Sequence, residues 1–351
     1  MNKNWQNFMV ASGAFIENGV IAHFGNLATE IEAMANNNCM ADLSHYSVME
    51  VSGDDATEFL QGQLTNDIKQ IDAKHSQLSA YCTPKGRILS IFRLWKRDDS
   101  YLLTLPSESK EALISRLRMY VLRSKVIFKE SELVHIGLAG PDIPALLRNR
   151  FEQLPQSADE SMAQDDITIT RIAGIGPRFE VIGKEAGITA LWESLKPEVT
   201  QVGSHAWAWG DIVSGVPIIT AESSEAFVPQ MVNLELLNGV NFKKGCYPGQ
   251  EIVARTKYLG KLKQRMFHGR VSADALPTPG TSLYAPEFND QPAGKVMHAE
   301  RAPDGKIDLL VVAQINSVRH GDMSLGSITG PGIEFVKLPY VIPELEEDTP
   351  S

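Results

Sequence analysis

Residues 243–251 read Lys-Lys-Gly-Cys-Tyr-Pro-Gly-Gln-Glu, and this stretch decides how the rest of the chain is interpreted. It places Cys246 in a glycine-punctuated loop directly after two lysines. A thiol is nucleophilic only as the thiolate, and nearby cations favour that form. Gly245 and Gly249 predict a sharp turn or a close approach of the backbone to a partner. The stretch therefore predicts a loop that presents a thiol; a surface loop with an incidental cysteine is the alternative.

The sequence around this loop is strongly basic, although the whole chain is acidic. Between residues 243 and 270 eight basic residues face one acidic residue, so this window carries +7. The 351-residue chain carries −10, which leaves −17 for the remainder. A local field of this sign attracts anions such as a carboxylate-bearing cofactor tail, a phosphate or an RNA backbone. A solvated basic helix and strand edge is the alternative. The basic residues are Lys243, Lys244, Arg255, Lys257, Lys261, Lys263, Arg265 and Arg270.

Composition predicts a cytoplasmic protein of two or three domains. A chain of 351 residues exceeds one ordinary domain. It contains no apolar run long enough to cross a membrane and no secretory signal. The three cysteines, at 39, 82 and 246, form neither a CxxC pair nor an even-numbered disulfide framework. We therefore expect reduced thiols, no membrane contact and no metal site.

Alternating patterns predict an α+β fold in the first two thirds of the chain, beginning near Ala41. They indicate two units of the split β-α-β type, one at 1–130 that is completed by 205–260, and one at 131–204. The polar segment 156–166 is predicted to be a loop. Predicted strands are 47–52, 77–82, 87–95, 101–105, 133–138, 167–172 and 178–182, and predicted helices are 56–64, 108–122, 143–151, 186–195 and 205–214.

The last part of the chain has a different pattern. From residue 265 onward helical periodicity disappears, and short β segments alternate with glycine and proline. This pattern predicts a small antiparallel β-barrel at 261–343. The acidic end, 344–351, is predicted to be disordered.

The chain resembles the YgfZ family of folate-binding proteins, which are linked to tRNA modification and to iron–sulfur enzymes. That family is related to the T-protein, the aminomethyltransferase of the glycine cleavage system. The resemblance covers about residues 40 to 340, and supporting segments are 59–67, 85–87 and Gly215-x-Pro217. Its strongest element is the motif made by Lys244, Gly245, Cys246, Tyr247, Gly249, Gln250 and Glu251, with Arg255 following.

The resemblance implies two folate-binding units and a C-terminal β-barrel around a central opening. It implies a tetrahydrofolate-type ligand, whose pterin needs an aromatic face and polar edge groups. Two aromatic positions associated with folate in the family correspond here to Tyr46 and Trp207. Tyr46 stands where we expect tryptophan. Apart from the resemblance, Trp207 is interpreted as a core aromatic that anchors its helix.

Two departures from the T-protein pattern argue against aminomethyl transfer. The acidic residue that follows the Gly-x-Ile-Leu step in that enzyme is absent, because Ser90 and Ile91 stand there. The glutamate two residues before the Gly-x-Pro step is replaced by Val213, and Asp211 is the nearest carboxylate in sequence. We therefore expect no aminomethyltransferase activity.

Three hypotheses follow. The first is a folate-binding accessory protein that uses Cys246 to support iron–sulfur enzymes, including those that thiolate tRNA. The second is a folate-dependent one-carbon transferase or demethylase, with Cys246 as nucleophile or Glu251 as base. For Glu251 the alternative is a carboxylate that stabilises the first turn of a helix. The third, direct RNA binding through residues 243–270, is least favoured because no RNA-reading motif is present.

Overall fold

The computed structural model of the chain describes residues 2–346. Its helices are α1 (Lys3–Ala11), α2 (Leu27–Asn36), α3 (Ala56–Gln63), α4 (Lys110–Val121), α5 (Ile143–Arg148), α6 (Glu185–Leu195), α7 (Ser204–Val213), α8 (Gln250–Tyr258), α9 (Ile315–His320) and α10 (Pro343–Glu346). Its strands are β1 (Phe15–Glu17), β2 (Val20–His23), β3 (Cys39–Asp42), β4 (Tyr46–Ser52), β5 (Gln77–Cys82), β6 (Ile88–Arg97), β7 (Ser100–Pro106), β8 (Ile127–Glu130), β9 (Val134–Ala139), β10 (Ser161–Gln164), β11 (Ile167–Ile172), β12 (Arg178–Gly183), β13 (Thr200–Val202), β14 (Gln264–Val271), β15 (Ser282–Tyr284), β16 (Gly294–Arg301), β17 (Ile307–Gln314), β18 (Ser324–Leu325) and β19 (Glu334–Val336). The predicted α+β class is confirmed.

The first sheet is antiparallel, in the order β5-β6-β7-β4-β8. Strands β6 and β7 are joined by a two-residue turn in which Asp98 has φ +51°, as the tight hairpin turn requires. Helices α3 and α4 cover one face, where Leu60 and Leu117 are fully buried against Leu94 and Leu103. The other face is turned towards the rest of the chain.

The second sheet has the order β10-β11-β12-β9-β3-β13, and only β3 and β13 are parallel. Strand β3 lies within the first 42 residues of the chain. Four further elements precede it there: α1, β1, β2 and α2. The prediction that order begins near Ala41 was wrong: β1, β2 and β3, with three or four residues each, are too short to show a clear alternation, and the helices beside them were not recognised. Strand β10 lies in the segment predicted to be a loop, since its pairing with β11 overrides its polar composition. Strand β3 thus joins the N-terminal segment to a sheet whose other strands come from residues 134–202.

The third sheet contains six antiparallel strands in the order β18-β15-β16-β17-β14-β19 and curls into a half-barrel. Its concave core contains Val311 and Leu283. Helix α9 interrupts the predicted all-β segment, because six residues do not produce a detectable helical period. Most of the tail predicted to be disordered lies outside the described residues, and its first three residues belong to α10.

Buried polar contacts join the three sheets. Arg93 on β6 is paired with Asp159 and lies 3.8 Å from the carboxylate of Glu180 on β12. Trp209 on α7 donates its indole N–H to Asp308 on β17 at 2.8 Å. These contacts hold the inner faces of the sheets around a polar centre. Within residues 2–346, no helix combines the length and apolar composition needed to cross a membrane.

Replacing Arg93 by methionine should strongly destabilise the protein. Arg93 is 6% exposed, and its loss leaves Asp159 without its paired cation and Glu180 with one cation fewer. We expect a loss of roughly 3 kcal/mol in the free energy of unfolding, measured with urea. Arg97→Met is the control, because its pair with Asp166 is solvent-exposed and should contribute less than about 1 kcal/mol. Equal losses in the two variants would contradict a structural role for the buried pair.

Candidate functional site

Tyr46 lines a cleft of about 650 Å³ between the start of the chain and strands β4, β8 and β9. His135 lines the same cleft, with its ring centroid 6.2 Å from that of Tyr46. The cleft wall also carries Ser44, Lys3 and Glu132. Tyr46 is half-buried, and burial together with the nearby Asp211 raises its pKa well above the usual value. The phenol is therefore neutral, and its partly exposed ring lines the cleft, where it could contact a flat ligand.

Histidines from three elements meet behind this cleft. The ring of His45 lies 4.3 Å from that of Tyr46. Burial, together with the nearby His135 and His298, lowers the pKa of His45 to about 3. Burial also lowers the pKa of His298. Both rings are only partly buried. Both are neutral at physiological pH and can donate and accept hydrogen bonds.

Acidic groups complete this polar cluster. Glu180 lies 3.4 Å from His135 Nε2. Burial raises the pKa of Glu180, but His135, Arg93 and Arg178 outweigh it, so the net shift is downward. Glu300 lies 2.9 Å from His205, and that contact raises the pKa of His205.

Several buried polar atoms of the cluster lack a hydrogen-bond partner in the described part of the chain. Native proteins satisfy nearly all buried polar atoms, so such a group points to a bound polar molecule or ordered water. The unpartnered atoms are His45 Nδ1, His135 Nδ1 and Nε2, Arg93 Nε, Arg178 Nε, Glu180 Oε2, His298 Nδ1 and Glu300 Oε2.

Trp207 lies beside this cluster, but its ring is enclosed. Only 1% of its surface is exposed. The guanidinium of Arg178 lies 4.4 Å from the ring centroid, and a Cβ on Gly137 would come within 2.4 Å of the ring. Arg178 in turn donates to Asp211 at 2.7 Å. Trp207 therefore packs α7 against the second sheet and fixes the position of Arg178.

This chain has no acidic residue at the two positions where the T-protein pattern has one. The hydroxyl of Ser90 is buried without a hydrogen-bond partner among the described residues, and Ile91 packs in a core with Ile212. Val213 lines a separate pocket of about 300 Å³ with Trp209. The carboxylate nearest in sequence, Asp211, lies near Tyr46, and burial raises its pKa while Arg178 opposes the shift.

The motif loop presents Cys246 to solvent, whereas Lys244 and Tyr247 are buried. Cys246 is exposed, whereas burial raises the pKa of the Cys39 and Cys82 thiols to about 12. Lys244 donates to the carbonyls of Gln61 and Leu64, at 2.6 and 2.5 Å, which close the C-terminal end of α3.

Burial lowers the pKa of Lys244 to about 8, while Asp67 opposes the shift. The Lys244 ammonium also lies 5.1 Å from the ring centroid of Tyr247, which is buried. Lys244 therefore anchors the loop through the end of α3. Its ammonium group contacts those carbonyls and that ring.

The second half of the motif begins α8. Gly249 has φ +84°, and a Cβ there would lie 2.4 Å from the carbonyl oxygen of Thr83 and 2.7 Å from Gly86. The 83–87 turn and the motif loop thus pack backbone to backbone, which explains the glycine. Gln250 reaches back to the Lys244 carbonyl at 3.4 Å, and Glu251 lies exposed in the first turn of α8. Arg255 is exposed on the same helix.

The structure brings Tyr46 and Trp207 together and leaves Cys246 apart. The motif loop packs at the end of β5, and Tyr46 begins β4. Strands β6 and β7 lie between them, so the sheet separates β4 from β5 by three strand spacings, roughly 14 Å. The basic window likewise contributes no residue to the cleft. Within residues 2–346, no cluster of side chains could hold a metal ion.

The histidines and acids of the central cluster were not predicted from the sequence. His45, His135, Glu180 and His298 come from widely separated segments, and none stands in a recognisable motif. Only the packing of the sheets shows that they meet.

Comparisons with known proteins agree with this architecture. The family described as "GCVT N-terminal domain" matches residues 13–237. A "tRNA-modifying protein YgfZ" from Colwellia psychrerythraea is 36% identical over 230 residues, which cover 65% of this chain and 70% of that protein. The protein of the same name from Enterobacter sp. (strain 638) is 33% identical over 276 residues, 78% of this chain and 84% of the relative.

A solved structure shares the fold. The glycine cleavage system aminomethyltransferase T from Bartonella henselae superposes with a TM-score of 0.75 over 96% of this chain and 97% of its own. At 18% identity this likeness concerns the fold alone.

Replacing Gly249 by alanine should displace the motif loop. The positive φ and the overlap of the new Cβ with backbone atoms of Thr83 and Gly86 should cost roughly 1–3 kcal/mol of unfolding free energy, measured with urea. Gly245→Ala in the same loop is the control. No atom lies within 4 Å of its added Cβ, so we expect a change within about 0.5 kcal/mol. If Gly249→Ala is as stable as the control, the backbone packing of the loop is not a constraint.

Proposed function

The chain belongs to the YgfZ family of GCVT-domain proteins, and from this membership we propose that it is a folate-binding accessory protein that supports tRNA modification. In this proposal the folate binds at the cleft beside Tyr46, and Cys246 acts as a reactive thiol at a separate site. The protein works in the cytoplasm.

The observation that carries the folate part is the set of unpartnered polar atoms behind the cleft. A pterin has a flat face and a hydrogen-bonding edge, so it needs an aromatic ring beside polar groups. Tyr46 offers the ring, and His135 and Glu180 offer the polar groups. The cleft volume, about 650 Å³, is in the range typical of small-molecule sites.

Trp207 has an indirect role in this proposal. Its ring is covered by Arg178, which pairs with Asp211 close to Tyr46. We propose that Trp207 holds this pair in position for the ligand and does not itself stack on the pterin. Asp211 then takes the place of the glutamate that Val213 replaces. We likewise propose a division of the chain into three functional parts. The first folate-binding unit comprises 1–130 and is completed by 205–260, the second comprises 131–204, and the barrel comprises 261–343.

The thiol part of the proposal concerns iron–sulfur enzymes, such as those that thiolate tRNA. Cys246 is the exposed cysteine of the three, so it is the one that a protein partner can reach. One thiol cannot hold a cluster alone, so the partner supplies the remaining ligands. Lys244, Gly249 and Gln250 hold the loop that presents it.

The second candidate is a folate-dependent one-carbon transferase or demethylase. It is less favoured because Ser90 and Ile91 provide no carboxylate, and because Glu251 is exposed on α8, on the Cys246 side of the sheet. Steady turnover of methylene-tetrahydrofolate by the purified protein would favour this candidate over an accessory role.

Tyr46→Ala should weaken folate binding. Loss of the stacking ring should raise the dissociation constant of a tetrahydrofolate by about tenfold or more, measured by isothermal titration calorimetry. Tyr120→Ala removes an exposed tyrosine on α4 and serves as the matched control. If both variants bind as the parent does, the ligand lies elsewhere.

Cys246→Ser should abolish the thiol function without affecting folate binding. We expect the variant to fail to restore the activity of iron–sulfur enzymes that modify tRNA in a deletion strain, while its folate dissociation constant stays within about twofold of the parent value. Cys82→Ala, which removes a buried thiol, is the control. Full restoration by Cys246→Ser would end the reactive-thiol proposal and leave the folate proposal standing.

A further inference from the structure

Five basic residues on and next to α8 have no ion pair with any acidic group in residues 2–346. Three of the eight basic residues of the 243–270 window are used internally. Arg265 is buried and paired with Glu235 and Glu344, Arg270 is paired with Asp304 and Asp308, and Lys244 closes α3. The remaining five are exposed: Lys243, Arg255, Lys257, Lys261 and Lys263.

Large apolar side chains are exposed among these cations. Tyr258 is 66% exposed, Leu259 is 84% exposed and Ile252 is 37% exposed. Together the five cations and these three side chains define the α8 surface. Isolated exposed apolar residues are common, but three on one nine-residue helix and its end, within a basic patch, form a combination typical of a binding surface.

Part of the α8 surface is held in place before any partner arrives. The ammonium of Lys257 lies 4.9 Å from the ring centroid of Phe242, and Phe242 contacts Tyr258 edge to face at 6.2 Å between centroids. Ile252 packs against Gly86 of the 83–87 turn. Side chains that are already fixed lose less entropy on binding, so such contacts contribute more to affinity.

We propose that the α8 surface docks a protein partner whose own surface is an aliphatic patch surrounded by carboxylates. The charge of the chain favours this occupant, because the 243–270 window carries +7 and attracts an acidic protein, whereas the remainder carries a net −17 and repels it. The apolar side chains give the partner a dry centre, and the cations form its polar rim. The inference does not depend on folate binding.

Nucleic acid fits this surface less well. Single-stranded RNA is held by aromatic rings that stack on bases, and the α8 surface exposes one ring, Tyr258, whose position is fixed by Phe242. Leu259 and Ile252 gain nothing from a phosphate backbone. An acidic protein surface with an aliphatic centre would contact both the exposed cations and the exposed apolar side chains of the α8 surface. The docked partner would also lie beside Cys246, four residues before the start of α8.

The test compares three fluorescent probes of equal net charge by anisotropy: a Glu/Leu amphipathic peptide, a Glu/Ser peptide of the same length, and oligo(U). We expect the Glu/Leu peptide to bind about tenfold more tightly than the other two, with an affinity that falls as salt is added. The double variant Arg255→Glu/Lys257→Glu should weaken it by about tenfold or more. The double variant Tyr258→Ser/Leu259→Ser should bind the Glu/Leu peptide no more tightly than the Glu/Ser peptide.

Lys196→Glu is the matched control, because Lys196 is exposed beyond the end of α6 on the second sheet. It should leave the affinity within about twofold. Three results would each overturn the proposal. Tightest binding of oligo(U), lost on charge reversal, would make the surface a nucleic-acid site. Equal affinities for the two peptides would show that the exposed apolar residues do not contribute to binding. If the charge reversal left the affinity for the Glu/Leu peptide unchanged, the α8 surface would not be the binding site.

Discussion

The buried guanidinium of Arg178 is the contact on which the arrangement of the sheets around the site depends. From β12 it donates to Asp211 and to Ser214, at 2.7 and 3.2 Å, and covers the ring of Trp207. These contacts hold α7 against the second sheet, while Trp209 on the same helix reaches the third sheet. A buried cation is tolerable only when its charge is paired, so the acid and the helix must stay in place. The polar cluster behind the Tyr46 cleft follows from that arrangement.

The same framework explains why the two chemical features of the chain are separate. The cluster of histidines and acids lies where the inner faces of the sheets meet, and its charges are shielded from solvent. The Cys246 loop lies at the end of β5, anchored by the buried Lys244 and by the close packing of Gly249 on Gly86. A ligand in the cleft and a protein at the thiol can therefore be bound independently. Communication between them would have to pass through the first sheet.

Sequence patterns predicted the parts of the fold that have long, regular elements. Strands β4 to β7 and helices α4, α6 and α7 lie close to their predicted positions, because ten or so residues of alternating or helical periodicity are distinctive. The first 42 residues and β10 were missed, since three-residue strands and polar edge strands depend on tertiary pairing. The motif loop was found because its residues are contiguous. The central cluster was not, because His45, Glu180 and His298 are distant in sequence and meet only in the folded chain.

The central claim is that folate binds in the Tyr46 cleft and not at the thiol loop. A crystal structure of the protein with a bound tetrahydrofolate tests it most directly. We expect density for the pterin between the ring of Tyr46 and the His135 side of the cleft, with its polar edge on the otherwise unpartnered groups of the cluster. Pterin density against the Cys246 loop, with the cleft filled only by water, would contradict the account.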